Sequence, residues 1–423
     1  MVLLVKQATI VDPNSPFHNQ QKDIHIEDGK IIAIADHLSV ENVRIIEQEG
    51  LHVSPGWVDI GMQIGDPGFE HREDIASATR AAALGGYTAI APFPNTDPVM
   101  DTKAALNYWR NQSIDNLVEI LPIAAITSHC NGKDITEMID MQRAGAIAFS
   151  DGSQSTQNNG MMMRALQYVR AFEGIVINRP FDASLAGDGH MHEGLISTQL
   201  GMKGISYLAE DMMVARDINL AAYTESRVHI HGISTAGSVD LIRQAKTDGV
   251  QVSCSVSPLN LFYQEDSLEH FDTAFKVLPP LREKEDSEAL LAGLEDGTID
   301  FVMSNHVPLE EERKKLEFAY ADFGAIGLET CYALLNTHLK HLGPEKILAL
   351  MGGNARQIFG LDQPVINEGH TADLTFFLPQ FGWQFTRDDI GSKSKNTPLL
   401  QASFTGKVLG VVNRQKSHFS PLR

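Results

Sequence analysis

The sequence predicts an α/β fold: a (β/α)8 barrel beside a small β-sandwich-like domain built from both chain ends. Three observations carry this. Short apolar or β-branched runs recur eight times through the middle of the chain, amphipathic stretches separate most of them, and both ends read as strands and turns. Strict β/α alternation predicts a parallel sheet, and eight repeats close a barrel. A chain of 423 residues suits one such barrel with an accessory domain, and a 43% apolar content suffices for its core.

In order, residues 23–34 alternate apolar and polar around Asp28-Gly29, a hairpin signal. The eight barrel runs are 54–62, 87–91, 117–125, 146–150, 175–178, 227–231, 250–256 and 299–304. Helical stretches between them include 72–84, 161–170, 236–246 and 287–295. The last has Asp286 or Ser287 as N-cap and Gly297 past its end. Strands return at 372–378 and 404–412. The expected division is residues 1–52 with 365–423 for the β domain, and 53–364 for the barrel. Each terminal segment alone has too few strands to bury a face, so the two should share a sheet.

With 34 basic and 54 acidic residues the net charge is −20, which gives no basic footprint for nucleic acid. The three cysteines, Cys130, Cys254 and Cys331, are few, scattered and odd in number, as in a reducing compartment. No signal peptide is recognised and no apolar run reaches the roughly 18 residues of a membrane span, so a cytoplasmic protein without a membrane partner is expected.

In such a barrel chemistry sits where strands end and loops begin. After strand one come Pro55-Gly-Trp-Val-Asp-Ile-Gly-Met-Gln-Ile-Gly-Asp-Pro-Gly68 and Phe69-Glu-His-Arg-Glu73. Then follow Pro94-Asn95-Thr96, Ser150-Asp151-Gly152, Ile233-Ser234-Thr235, Pro279-Pro280-Leu281-Arg282 and His306-x-Pro308. Gly324-x-x-Gly327-Leu328-Glu329-Thr330, Asn354-Ala355-Arg356 and Phe359-Gly360-Leu361 complete the series. In this order the pieces resemble dihydroorotase, whose strand one reads PG-x-x-D-x-H-x-H before an x-R-x-PG-x-E turn. The resemblance runs through almost the whole chain and implies an amidohydrolase-type TIM barrel, cyclic-amide hydrolysis and a zinc site.

The residues that the resemblance assigns to chemistry are nearly all replaced. The strand-one histidine pair is Gly61 and Gln63, the strand-five histidine is Arg179, and the strand-six histidine is Gly232. Glycine offers no ligand atom, a neutral amide is a poor zinc ligand, and a fixed cation repels a metal. The strand-eight aspartate, base and ligand in the family, is Asn305, which cannot take a proton at neutral pH. Asp151 alone is retained of the usual set, as a vestigial ligand or a turn residue before Gly152. In the vestigial substrate pocket, the arginine expected after strand one is Gly65 and the asparagine before Pro-Pro-Leu-Arg is Leu278, while Asn95 and His306 remain. No metal cofactor and no catalytic residue is therefore expected.

Other features have plainer readings. His229 and His231 form an H-x-H, but with the family ligand at 232 they should face away from the lumen and pack structurally. His190-Met-His192 reads as a solvated loop, 155–159 as a flexible loop, 310–315 as a solvated helix start and Met161-Met-Met163 as barrel–helix packing. Ser253-Cys-Ser255 lacks an evident acid–base partner. Two functions follow: an inactive dihydroorotase-like pseudoenzyme with a scaffold or regulatory role, or an active cyclic amidohydrolase using an altered site of Asp151, His306 and His190 or His192. The resemblance implies aspartate transcarbamoylase as a candidate partner, and a homo-oligomer is expected.

Overall fold

The computed structural model describes residues 1–114 and 116–422. Eight parallel strands build the barrel: Trp57–Met62, Tyr87–Pro92, a split third strand (Glu119–Ile120 and Ile123–Ala124), Ala148–Phe149, Ile175–Asn178, Arg227–His231, Val252–Val256 and Phe301–Val302. The split at Leu121-Pro122 lets the first half of strand three pair with strand two and the second half with strand four. Strands four to eight continue in sequence order. Between strands eight and one a side chain joins the two. Buried Asp59 accepts from the backbone N–H of Ser304 at 2.7 Å and from its hydroxyl at 2.6 Å, and the Gln63 N–H donates to His306 O at 2.9 Å.

Inside the barrel lie Val58, Ile60, Ala89, Ala91, Ile123, Ala148, Ile175, Ile177, Phe301 and Met303. The alternate positions, such as Ile90, Val176, Val228, Ile230 and Cys254, pack outward with helix residues. This is the period-two division of a strand buried on both sides.

The two chain ends form one eight-stranded sheet. From one edge its order is Lys416–Phe419, Ser403–Asn413, Asp373–Gln384, His52–Pro55, Val2–Ile10, Gln21–Glu27 and Lys30–Ala35, with Arg44–Glu47 also beside Val2–Ile10. Asp28 and Gly29 both have positive φ (48° and 79°), as a tight two-residue hairpin turn requires. Ser54 and Pro55 belong to this sheet, so barrel strand one begins three residues later than the sequence suggests. Gly56 separates the two strands because a Cβ there would lie 1.9 Å from Asp373 Oδ1 and 2.0 Å from Thr88 Oγ1.

Helix ends also shift. The helix read at 72–84 is Ile75–Leu84, capped by Asp74, whose carboxylate accepts from the Ser77 N–H. The helix read at 287–295 is Lys284–Asp296; its N-cap is Glu283 rather than Asp286 or Ser287, while Gly297 closes it at φ +83° as expected. Asp286 instead accepts from the N–H of Ala236 at the start of the neighbouring helix.

Candidate functional site at the barrel mouth

The C-terminal ends of the strands place Gly61, Gln63, Arg179, Gly232 and Asn305 around the mouth, and three of these leave the strand conformation. Gly61, Gly232 and Asn305 have φ of +81°, +78° and +49°. At Gly232 the N–H groups of both Gly232 and Ile233 point to Ser255 O, at 3.1 and 3.0 Å. One acceptor facing two consecutive donors is a local bulge, and it breaks the alternation.

That break overturns the expected orientation of strand six. His229 and His231 face the lumen, while Val228 and Ile230 pack outward. The His229 ring stacks on Phe301, with centroids 4.9 Å apart and planes within 9°, and meets Phe359 at 5.5 Å. Its Nδ1 lies 2.9 Å from Ser253 Oγ and its Nε2 3.1 Å from Ser255 Oγ. Ser253 and Ser255 therefore do have an imidazole partner. Among the described residues no carboxylate completes a triad, and burial lowers the His229 pKa to about 3, so this is a neutral core network.

One layer above, His231 packs edge-on against Phe93 at 4.9 Å and occupies the space that a side chain at 61 would need. A Cβ on Gly61 would meet His231 Cε1 at 2.3 Å and Nε2 at 2.6 Å. Burial, then the charges of His229 and Arg179, holds the His231 pKa well below the imidazole range. Arg179 donates to Leu278 O from one guanidinium nitrogen, and Asn305 Nδ2 donates to the same carbonyl at 3.3 Å. No carboxylate pairs with Arg179 among the described residues, and desolvation lowers its pKa to about 10.

The retained residues are engaged elsewhere. Asp151 accepts from the Thr127 N–H at 2.9 Å and from its hydroxyl at 2.6 Å, tying strand four to strand three. Asn95 donates to Asp151 O and accepts from the Ser153 N–H, so its amide holds the strand-four turn. Gly65 sits where the chain folds on itself; a Cβ there would come within 2.2 Å of Phe69 O and 2.6 Å of Glu73 O, leaving no room for an arginine without a backbone shift. His306 is fully buried, its Nε2 3.5 Å from Glu73 Oε2 and its Nδ1 facing the N–H groups of Gly327 and Leu328. Burial works to raise the Glu73 pKa, but His306 and the Ser392 hydroxyl hold it below the ordinary value.

The alternative trio is not brought together. His192 is buried in a short strand, not on a solvated loop, and its Nδ1 is 3.0 Å from the Arg282 guanidinium. Among the described residues no group of three or more His, Cys, Asp or Glu could hold a metal ion. The donors at the mouth do not fit a divalent ion. Two of the assigned positions lack a side chain, one is a cation, two are amides, and the remaining carboxylate is bound by Thr127.

Two further expectations change. Lys314, read as part of a solvated helix start, is buried, with its Nζ donating to Lys276 O and Asp322 O. Thr156, within the stretch read as a flexible loop, is buried, and its N–H donates to Asn178 Oδ1. Sequence reasoning missed a buried network on the helix Leu208–Thr224. Glu210 accepts from the N–H groups of Ser234 and Thr235 at 2.6 and 3.0 Å and faces Arg282 at 3.7 Å, so the Ile-Ser-Thr and Pro-Pro-Leu-Arg motifs support one structural cluster. Asp217, about two turns further along the same helical face, accepts from Asn178 Nδ2 at 2.6 Å. The signal was available: residues 210, 213, 214, 217 and 221 form the buried stripe, and two of them are acids.

Comparison with known proteins agrees with this architecture. Residues 50–238 match the family described as "Dihydro-orotase-like". The chain is 41% identical over 412 residues to a dihydroorotase of Pelotomaculum thermopropionicum, covering 97% of this chain and 95% of that one. It is 38% identical over 416 residues to a dihydroorotase of Citrifermentans bemidjiense, covering 97% and 98%. Among solved structures, an L-hydantoinase (dihydropyrimidinase) from Arthrobacter aurescens superposes with a TM-score of 0.85 at 24% identity, covering 99% of this chain and 96% of that one. A dihydropyrimidinase from Brevibacillus agri gives 0.83 at 19%, covering 99% and 95%. These structural likenesses establish the barrel with its β domain.

Proposed function

The chain belongs to the dihydroorotase family, and from that premise we propose that it is a dihydroorotase-like protein of pyrimidine biosynthesis that does not turn over dihydroorotate and acts through contacts with another protein. The observation that carries this reading is the guanidinium of Arg179 at a position the family gives to a metal ligand. Hydrolysis of an unactivated cyclic amide by this family's chemistry needs an electrophile for the carbonyl and a base for the water. A resident protein cation disfavours the first, and Asn305 cannot supply the second. The partner that family resemblance suggests is aspartate transcarbamoylase. In favour of the other reading, an active amidohydrolase, stands the 38–41% identity to dihydroorotases over nearly the full length.

One experiment separates them. Homogeneous protein, purified without chelator and assayed with and without added zinc, is expected to show no dihydroorotate turnover above background in either direction. Elemental analysis of the same preparation should find well under one zinc per chain, and a binding assay with aspartate transcarbamoylase should detect a complex. Turnover by the unmodified protein would establish the active reading.

A further inference from the structure

Away from the mouth, the acidic character of the protein reverses in one place. A cavity of about 470 Å³ lies between residues 309–315, which follow barrel strand eight, and residues 387–397, which connect the two long strands of the chain-end sheet. None of Gly61, Gln63, Arg179, Gly232 and Asn305 lines it. In a chain of net charge −20, five lysine and arginine side chains line this cavity against three carboxylates.

Some of these charges are matched within the chain. Lys315 pairs with Glu311 at 2.5 Å, Lys393 with Asp74 at 2.5 Å, and Glu310 with Arg72 at 2.8 Å. Three cations are left without a carboxylate. Lys314 is 7% exposed, and its ammonium donates to Lys276 O at 3.2 Å and to Asp322 O at 2.9 Å. Lys395 is half-buried and donates to Ile390 O and Ser392 O at 2.9 and 2.7 Å. An ammonium has three N–H groups, so each of these lysines keeps one without an acceptor among the described residues. The exposed Arg387 makes no hydrogen bond or ion pair there, although its charge acts on both Glu311 and Lys395 across the cavity. Glu312 is the one lining carboxylate without a cation among the described residues, so the surplus is 3 − 1 = +2.

Gathering like charges around a half-enclosed space is unfavourable unless an anion neutralises them. Burial, then the charge of neighbouring Lys276, lowers the Lys314 pKa to about 8, so at pH 7 it remains an ammonium beside another cation. We infer that this cavity binds phosphate, as the free ion or as the monoester of a small molecule, through Lys314, Arg387 and Lys395. A surplus of two positive charges matches a phosphate dianion better than a single carboxylate. The Thr397 hydroxyl supplies a further donor: its oxygen accepts from the Leu399 N–H at 3.2 Å, and its own proton has no acceptor among the described residues. The volume falls within the range of about 300–1,000 Å³ usual for small-molecule sites, which leaves room for an organic group against Ala274 and Leu309.

The test is calorimetry on the full chain at pH 7 and low ionic strength, where screening is weak, with inorganic phosphate, glycerol 1-phosphate and glycerol as probes. Both phosphates are expected to bind at one site per chain, and glycerol is not. Tighter binding of glycerol 1-phosphate would assign the cavity to an esterified phosphate, and tighter binding of inorganic phosphate to the free ion. Arg387→Gln is the informative variant, because its side chain makes no bond that the fold needs. It should melt like the native protein and bind phosphate about threefold to tenfold more weakly, as suits an exposed charge. Arg387→Lys should retain part of that contribution. Adding Lys395→Gln to Arg387→Gln should bring the loss to about tenfold to a hundredfold. Lys30→Gln, in the edge strand Lys30–Ala35 of the sheet, removes the same charge elsewhere and should leave binding unchanged. Failure of both phosphates to bind, native affinity in Arg387→Gln, or equal weakening by Lys30→Gln would each overturn the inference. The readout is binding rather than turnover, so the outcome is independent of whether the mouth is active.

Discussion

Gly61 stands where the family resemblance expects a metal ligand, but the sequence does not show what occupies the space beside it. His231 reaches into it from strand six, so restoring the ligand pair is not a simple reversal. A histidine at 61 needs φ near +81° and a Cβ 2.3 Å from an imidazole packed against Phe93. The left-handed backbone alone costs about 1–2 kcal/mol for a residue with a Cβ. Gly61→His with Gln63→His is therefore expected to lower stability by roughly 2 kcal/mol or more, and to bind no stoichiometric zinc. Urea unfolding and elemental analysis check the two halves; one tightly bound zinc in the double variant would show that the mouth can reopen. The buried histidines also set a pH dependence. His229 titrates at about 3 in the folded chain and near 6.5 unfolded, and His231 is likewise depressed, so their stabilisation is complete above pH 6.5 and declines as pH falls towards 3. Asp59 opposes this. Burial raises its pKa to about 6, so stability is regained as pH drops through 6 towards the unfolded value near 3.8. Between pH 7 and 5 His229 forfeits about 2 kcal/mol, Asp59 returns about 1, and His231 adds a loss of the same sign as His229, so a net loss is expected from these three groups. Urea midpoints at the two pH values test it; a flat profile would mean that the histidines are not held neutral in the fold.

Among elements, the eight strands and the Asp28-Gly29 hairpin were readable because period and turn chemistry are local properties. Strand phase at the mouth was not, because it depends on the bulge at Gly232, where two donors share Ser255 O. Counting back from 232 by twos carries parity through a residue that does not obey it. The acids Glu210 and Asp217 were missed for a different reason: on a helix an acid normally marks the solvated face, and only their place within the apolar stripe shows otherwise. The closure of strand eight on strand one is the element-level feature with the clearest consequence. It rests on Asp59, whose two oxygens accept from the N–H and hydroxyl of Ser304 in a fully buried setting. Asp59→Ala leaves two buried donors without an acceptor, each worth about 1–3 kcal/mol. The expected result is a stability loss of roughly 2–5 kcal/mol, with faster amide hydrogen exchange confined at first to residues of strands one and eight. Exchange that rises evenly round the barrel would show that closure does not depend on this carboxylate.

At the scale of the molecule, the hydrophobic cluster outside the barrel strands takes in Val11, Phe377 and Val411 of the chain-end sheet, which also keeps a cluster of its own. Trp57 at the start of barrel strand one packs on Tyr332 of a barrel helix at 4.9 Å and on Phe377 of the sheet at 5.8 Å. Arg356 fastens the same junction. It lies in the Asn-Ala-Arg stretch that the sequence offered only as a family resemblance, and its role is structural. Its Nε and Nη2 donate to Gly56 O at 3.2 and 3.0 Å, its Nη1 to Asp362 O at 2.9 Å, and its Nη2 pairs with Asp373 at 3.1 Å. One side chain thus holds the last barrel helix, the glycine between sheet and barrel, and the first sheet strand of the chain's C-terminal part. Because apolar packing is shared across the junction, the native protein is expected to unfold in a single calorimetric transition despite its two architectures. Arg356→Met keeps much of the aliphatic volume but leaves Gly56 O and the Asp373 carboxylate without their cation. Removing one partner of a buried pair costs about 3–5 kcal/mol; Asp373 keeps some solvent contact, so the lower end, about 3 kcal/mol, is expected here. The loss should fall on the junction more than on either body. A lower melting temperature with a broadened or split endotherm would show that coupling has weakened. A uniform downward shift with one sharp transition would mean instead that the shared aromatic packing holds the two bodies together without the arginine.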